Sequence, residues 1–356
     1  MVFYNVFSTT VKSIIVFVWA AIIISILFIS GNQTSSSSKK TLNLLVWAQV
    51  LDSDFFEDFE RDTGVKVNVG YFEHNEEVFL KLKSTSSHGY DLIMPSDFML
   101  EQMIAHDMVK KIDTSRLTFW DNIYPQLKNN FADPHSQYSI PYYWGLFGLA
   151  IDRSIMGHDI EPSWGLLFDE RQVKESVCVV DEPRVLIQMA AFYLFGRMSD
   201  LSQEEIEKIK QLLITQKRWV SLYTNLRPDY AIATRVSPVG LVIANDILKM
   251  LKEFKDIDFV IPKEGTFAVI DAFSIPKQSD KDEIIYQFLN YLYSPVVLKK
   301  YVERYQFLPA VNTVQLSNER SKDFIPNDDL FKKVHFFKNI LPEKQFHDIW
   351  LAVKAE

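Results

Sequence analysis

SIPYYWGLFGLAID, residues 139–152, is a long apolar run that reads as extended chain. It is long enough to leave one domain and enter another. A second extended stretch, residues 267–275, is bounded by Gly265 and Pro276. The segments on either side of both runs have mixed helix and strand texture. Two extended crossings between such blocks predict two lobes joined by a two-stranded hinge. In open α/β sheets ligands sit at the carboxyl ends of strands. Two such lobes facing each other form a cleft that can close around a solute.

Working outward, residues 42–47 form a short apolar strand, and 54–63 follow with Phe55, Phe56 and Phe59 on one helical side. Gly64 ends that helix as a C-cap. A strand over 65–72, a helix over 76–84, a strand over 90–94 closed by Pro95, and a helix over 98–106 come next. This β-α-β-α-β-α order favours a mostly parallel sheet with helices on both faces. Between the crossings the pattern gives strands at 176–180, 220–223 and 236–244, and helices at 185–195, 203–215 and 246–254. Beyond the second crossing, helices at 282–292 and 295–305 lead into a tail expected to be largely helical as far as residue 356. The fold class is therefore α/β, two-lobed, with two crossover strands forming the hinge.

A length of 356 residues accommodates two domains of ordinary size. With only 11 glycines, and no GxGxxG, Walker loop, HExxH or GxSxG, nucleotide binders built on glycine-rich phosphate loops are disfavoured. A formal charge of −8 disfavours a nucleic-acid partner and is compatible with a cationic ligand, although mild acidity also serves solubility. The single cysteine, Cys178, excludes an intrachain disulfide and reads as a small core residue. The seven histidines show no ligand spacing, which disfavours a metal receptor. No nucleophile–base pair is present, so no catalytic residue and no cofactor is expected.

After Lys12, residues 14–29 form an apolar run broken only by Ser25, followed by a Ser-rich polar tract at 32–40. The run reads either as a cleaved export signal or as an uncleaved membrane anchor. No cysteine stands just after it, and no clean small-x-small pair precedes Gly31.

Several words then carry a resemblance. They are the strand ending in Trp47, FxxxTGxKV at 59–67, Glu73 and Glu76 in YxExxE, and KLK at 81–83. YDLIMPS at 90–96, MVKKID at 108–113, YSIPYYWG at 138–145, IQMA at 187–190, PKEG at 262–265 and DAFSIP at 271–276 follow. Together they resemble the spermidine/putrescine-binding proteins of ABC importers over nearly the whole chain after residue 40. The most specific words are YDLxxPS and IPYxWG. The resemblance implies an exported, monomeric receptor that delivers a small cationic ligand to a membrane permease. It implies a first lobe of 41–146 plus 271–315 and a second of 147–270 plus 316–356, after a signal or anchor and linker at 1–40.

A polyamine needs carboxylates for its ammonium groups and aromatic faces for its methylenes. The resemblance carries ligand-binding roles to Trp47, Ser96, Phe98, Asp181, Glu182, Asn245 and Asp271, with Asp271 and Trp47 as the leading pair. Trp47 and Phe98 read also as core, and Asp181 and Glu182, just before Pro183, read equally well as a turn. Several family positions are replaced: Ala48, Gln49 and Val50 follow Trp47, and Val185, Ala244, Val269 and Leu308 stand where the family has an acid or aromatics. A receptor of this fold for another small ligand, or an anchored scaffold or sensor without polyamine binding, therefore stays open.

Overall fold

The computed structural model describes residues 40–48, 50–84, 89–172, 175–224, 228–248, 250–316 and 324–356. The apolar run at 14–29, the polar tract up to residue 39, and Gln49 lie outside them. Among the described residues no helix is long and apolar enough to cross a membrane.

β1 (Thr41–Trp47) pairs in parallel with β2 (Lys66–Phe72) on one side and β3 (Leu92–Ile93) on the other. The helices α1 (Glu57–Thr63) and α2 (Asn75–Ser84) make the two crossovers, and α3 (Asp97–Ala105) leaves the last strand. α1 stops at Gly64, whose φ of 71° is a left-handed conformation that costs glycine little. This three-stranded sheet follows the predicted alternation closely.

The larger sheet is built on β4 (Ile140–Asp152), all of whose residues are buried. The chain continues through β5 (Val177–Val179), α4 (Pro183–Phe195), α5 (Gln203–Gln216), β6 (Val220–Tyr223), β7 (Val239–Ile243), β8 (Ile257–Val260) and β9 (Thr266–Phe273). The sheet order is β11-β9-β4-β7-β5-β6, where β11 is Val334–Phe336, and β8 and β10 (Leu308–Pro309) also pair with β4. β4 changes partners along its length. From Ile140 to Leu146 it lies antiparallel to β9, and from Phe147 onward it meets β7 and β8.

β9 makes the reciprocal crossing. Beyond Phe273 its chain meets the smaller sheet, with Ile93 N–H donating to the Ser274 carbonyl at 3.0 Å and Ser274 N–H to Ile93 at 2.9 Å. A further antiparallel bridge joins Ser96 to Asp271. The two long apolar runs thus lie side by side where the two sheets meet, as the crossover strands of a two-lobed α/β fold. Much of the aromatic content sits here: the Tyr142 ring lies 5.2 Å from Phe273, 5.5 Å from Tyr293 and 5.3 Å from Phe307.

α6 (Asp282–Leu292) and α7 (Pro295–Tyr305) match the expected helices, but the tail does not. It contains β10 and β11 before the one long helix, α8 (Glu343–Ala355). Short apolar runs such as VHFF carry no period that separates strand from helix, and β11 is fixed by an open edge of β9. The helix expected over 246–254 is likewise replaced by short turns, Ala244–Ile247 and Met250–Lys252. β8 was not anticipated from sequence.

Gly148 marks a close approach within the larger sheet. A β-carbon there would stand 2.5 Å from the Phe259 ring and 2.8 Å from the Val260 carbonyl oxygen. Gly148→Ala is expected to destabilise the protein by ~1–3 kcal/mol, read as a lower urea midpoint. An unchanged midpoint would contradict the tight β4–β8 pairing.

Candidate ligand-binding cleft

A cavity of about 640 Å³ opens where strands of both sheets end. Trp47 and Phe72 stand at the ends of β1 and β2; Val180 and Glu182 follow β5, and Thr224 follows β6. These are carboxyl ends of parallel strands, the place where open α/β sheets present ligand groups. Tyr143 and Phe147 on β4, and Val269 and Asp271 on β9, contribute from the hinge.

Asp271 is the most constrained group in the cleft. It is only 4% exposed, and its Oδ1 accepts from Ser96 Oγ at 2.6 Å and from Trp47 Nε1 at 3.0 Å. The Tyr143 hydroxyl stands near the same carboxylate. Burial pushes the Asp271 carboxyl up to about 6, while the polar groups of Ser96, Tyr143 and Trp47 favour its charged form and pull it down. The Trp47 ring also leans on Phe72, with centroids 4.4 Å apart.

Two further carboxyls sit nearby. Asp97 is buried beside the cleft and accepts backbone N–H groups from Phe98 at 2.8 Å and Ile270 at 3.3 Å. Burial, reinforced by neighbouring Asp271, holds it well above the usual carboxylate range. Glu182 is pushed up to about 8 by burial and by the adjacent Glu76.

Of the residues singled out from sequence, Trp47, Ser96, Phe98, Glu182, Asn245 and Asp271 line one cavity. Asp181 is not among its lining residues; its Oδ1 lies 3.1 Å from Lys354 Nζ. Asn245 also ties backbone together, donating to the Trp144 carbonyl at 3.1 Å and accepting from Leu308 N–H at 3.2 Å. Of the replaced positions, Ala48, Val50, Val185 and Val269 line the cavity, while Ala244 and Leu308 are buried without lining it. Among the described residues no group of three His, Cys, Asp or Glu side chains is placed to hold a metal ion.

Sequence reasoning missed Tyr143, although the period of two along β4 puts it on the same face as Phe147. It also missed Asp229, Tyr230, Asp246, Glu253, Phe254, Arg304 and Tyr305, which line the cavity too. Among the described residues, six that line it carry a carboxyl group: Glu73, Glu182, Asp229, Asp246, Glu253 and Asp271. Arg304 is the lining cation among the described residues, and it is already paired with Asp52 at 2.8 Å and Asp54 at 3.3 Å.

Residues 85–334 match the model of a family described as bacterial extracellular solute-binding protein. The spermidine/putrescine-binding periplasmic protein of Salmonella typhimurium is 28% identical over 268 residues, covering 75% of this chain and 77% of its own. The putrescine-binding periplasmic protein PotF of Escherichia coli is 28% identical over 283 residues, with 74% and 76% covered. A lipoprotein of Treponema pallidum shares the fold at a TM-score of 0.76 and 20% identity, over 89% of this chain and 100% of that one.

Removing the Ser96 hydroxyl removes a bond to the charged form of Asp271, so Ser96→Ala is expected to raise its pKa above about 6. Because that pKa stands above the unfolded carboxyl value, Asp271 favours folding most at low pH, and the contribution fades as pH rises from about 4 to about 6. Carboxyl titration by NMR checks both; an Asp271 pKa unmoved in Ser96→Ala would contradict the assigned bond.

Proposed function

The chain belongs to the bacterial extracellular solute-binding proteins, and we propose that it is the extracytoplasmic receptor of an ABC importer, closing two lobes around a polyamine. It catalyses nothing and works as a monomer that hands its ligand to a membrane permease. The lobes divide at the two crossings, 41–146 plus 271–315 against 147–270 plus 316–356. Trp47, Ser96, Phe98, Glu182, Asn245 and Asp271 make the ligand contacts.

One observation carries the reading: among the described residues the cleft is lined by six carboxyl-bearing side chains, and Arg304 on its wall is neutralised by neighbouring aspartates. An ammonium taken from water needs a carboxylate partner, and Asp271 is buried with donors that keep it oriented. Trp47, Phe98 and Tyr143 supply ring faces for methylenes and for cation–π contact, each worth ~0.5–2 kcal/mol. Relatives named for spermidine and putrescine support the same class. The aliphatic wall of Val50, Val180, Val185, Val269 and Ile243 favours a second reading, an amine with a bulkier apolar body in the same site.

Calorimetry with putrescine and spermidine tests the assignment, and binding of at least one is expected. Heat and thermal shift absent for both would overturn the polyamine reading. Asp271→Asn is expected to weaken binding roughly a hundredfold or more. Protons compete with the ligand for Asp271, so affinity should fall as pH drops through about 6. A Kd that is flat from pH 7.5 to roughly 5.5 would remove Asp271 from the contact.

A further inference from the structure

Phe98 reaches the cleft from the first turn of α3, and it is also met by Arg184 from α4 and by Asn339. The Arg184 guanidinium, on α4, lies 5.2 Å from the Phe98 ring centre and 4.5 Å from that of Phe346 on α8. Arg184 is 2% exposed; its Nη1 donates to Asn339 Oδ1 at 2.6 Å and its Nη2 to Glu343.

Asn339, between β11 and α8, has every hydrogen-bonding capacity in use. Its Oδ1 accepts from Gln102 Nε2 at 2.9 Å as well as from Arg184. Its Nδ2 donates to the Phe98 carbonyl at 3.0 Å and to Glu101. A side-chain amide offers two donors and two acceptor sites, so none is left over. Three of the four bonds go to α3, which leaves the three-stranded sheet, and one goes to α4, which follows β5 of the larger sheet.

We infer that Arg184, Asn339 and Glu343 form a clasp across the cleft, positioning Phe98 as its wall and setting how fast a bound ligand leaves. None of the three lines the cavity, so they act through Phe98 rather than on the ligand. Moving α3 away from α4 and α8 breaks three bonds to Asn339 and lifts Phe98 off Arg184. The buried guanidinium then keeps Glu343 and Asn339 but loses one of its two ring faces. Interactions made only when the lobes are together stabilise that state over the open one. The inference rests on reading this cavity as the ligand site.

Stopped-flow fluorescence with putrescine and spermidine, on the whole chain and on Asn339→Ala and Gln102→Ala, tests it. Both replaced side chains are partly exposed, and neither touches the cavity. Dissociation is expected to quicken roughly tenfold, the loss of one or two net hydrogen bonds, while association changes much less. Ligand-free Asn339→Ala should also show a larger radius of gyration in small-angle scattering. Dissociation within about twofold of the unmodified chain, with unchanged scattering, overturns the clasp. If the unmodified chain binds neither amine, the polyamine reading falls and scattering alone decides: expansion supports the clasp and an unchanged radius overturns it. Should Asn339→Ala not fold, Gln102→Ala decides by the same readings.

Discussion

A carboxylate removed from water must be compensated by donors that cannot wander, and Asp271 is the place where this chain meets that demand. Trp47 donates from the end of β1 and Ser96 from the link between β3 and α3, and the Tyr143 hydroxyl stands near from the first half of β4. The backbone bridge between Ser96 and Asp271 fixes the same point independently. Four segments of sequence, as distant as residues 47 and 271, are therefore held to one group. Losing any donor leaves a buried acceptor short of a partner, which costs more than the bond itself gains.

The hinge follows from the same arrangement. β9 carries Asp271 and runs from the larger sheet to the edge of the smaller one, with β4 beside it in the opposite direction. Because both strands are buried along their whole length, they are continuous apolar runs rather than alternating ones. The strand ends left facing the cavity bring polar groups, while the strands behind them stay apolar. Asp271 is the exception on β9, a carboxylate set within a buried strand and held there by its donors.

Much of this was legible in the sequence. The alternation of the first three strands and helices, the two crossings, and α6 and α7 all carry periods long enough to read. What failed was short. β8, β10 and β11 have four residues or fewer, and their state is decided by a vacant edge of β4 or β9 rather than by their own residues. At the cleft, the half formed by β1, α3 and β9 was readable because its words are contiguous. The other half comes from short turns around Asp229, Asp246 and Glu253, which have no pattern to find. Asp181 and Glu182 show the limit most plainly: neighbours in a turn, one beside Lys354 and the other lining the cavity, with nothing in their identities to tell them apart.

The central claim is that Asp271 anchors the cationic group of the ligand at the meeting point of both sheets. A crystal structure of the chain soaked with spermidine tests it most directly. The account predicts an amine nitrogen within about 3 Å of the Asp271 carboxylate, with methylenes against Trp47 and Phe98. Spermidine bound elsewhere in the cavity, with Asp271 still bonded only to Ser96 and Trp47, would contradict it.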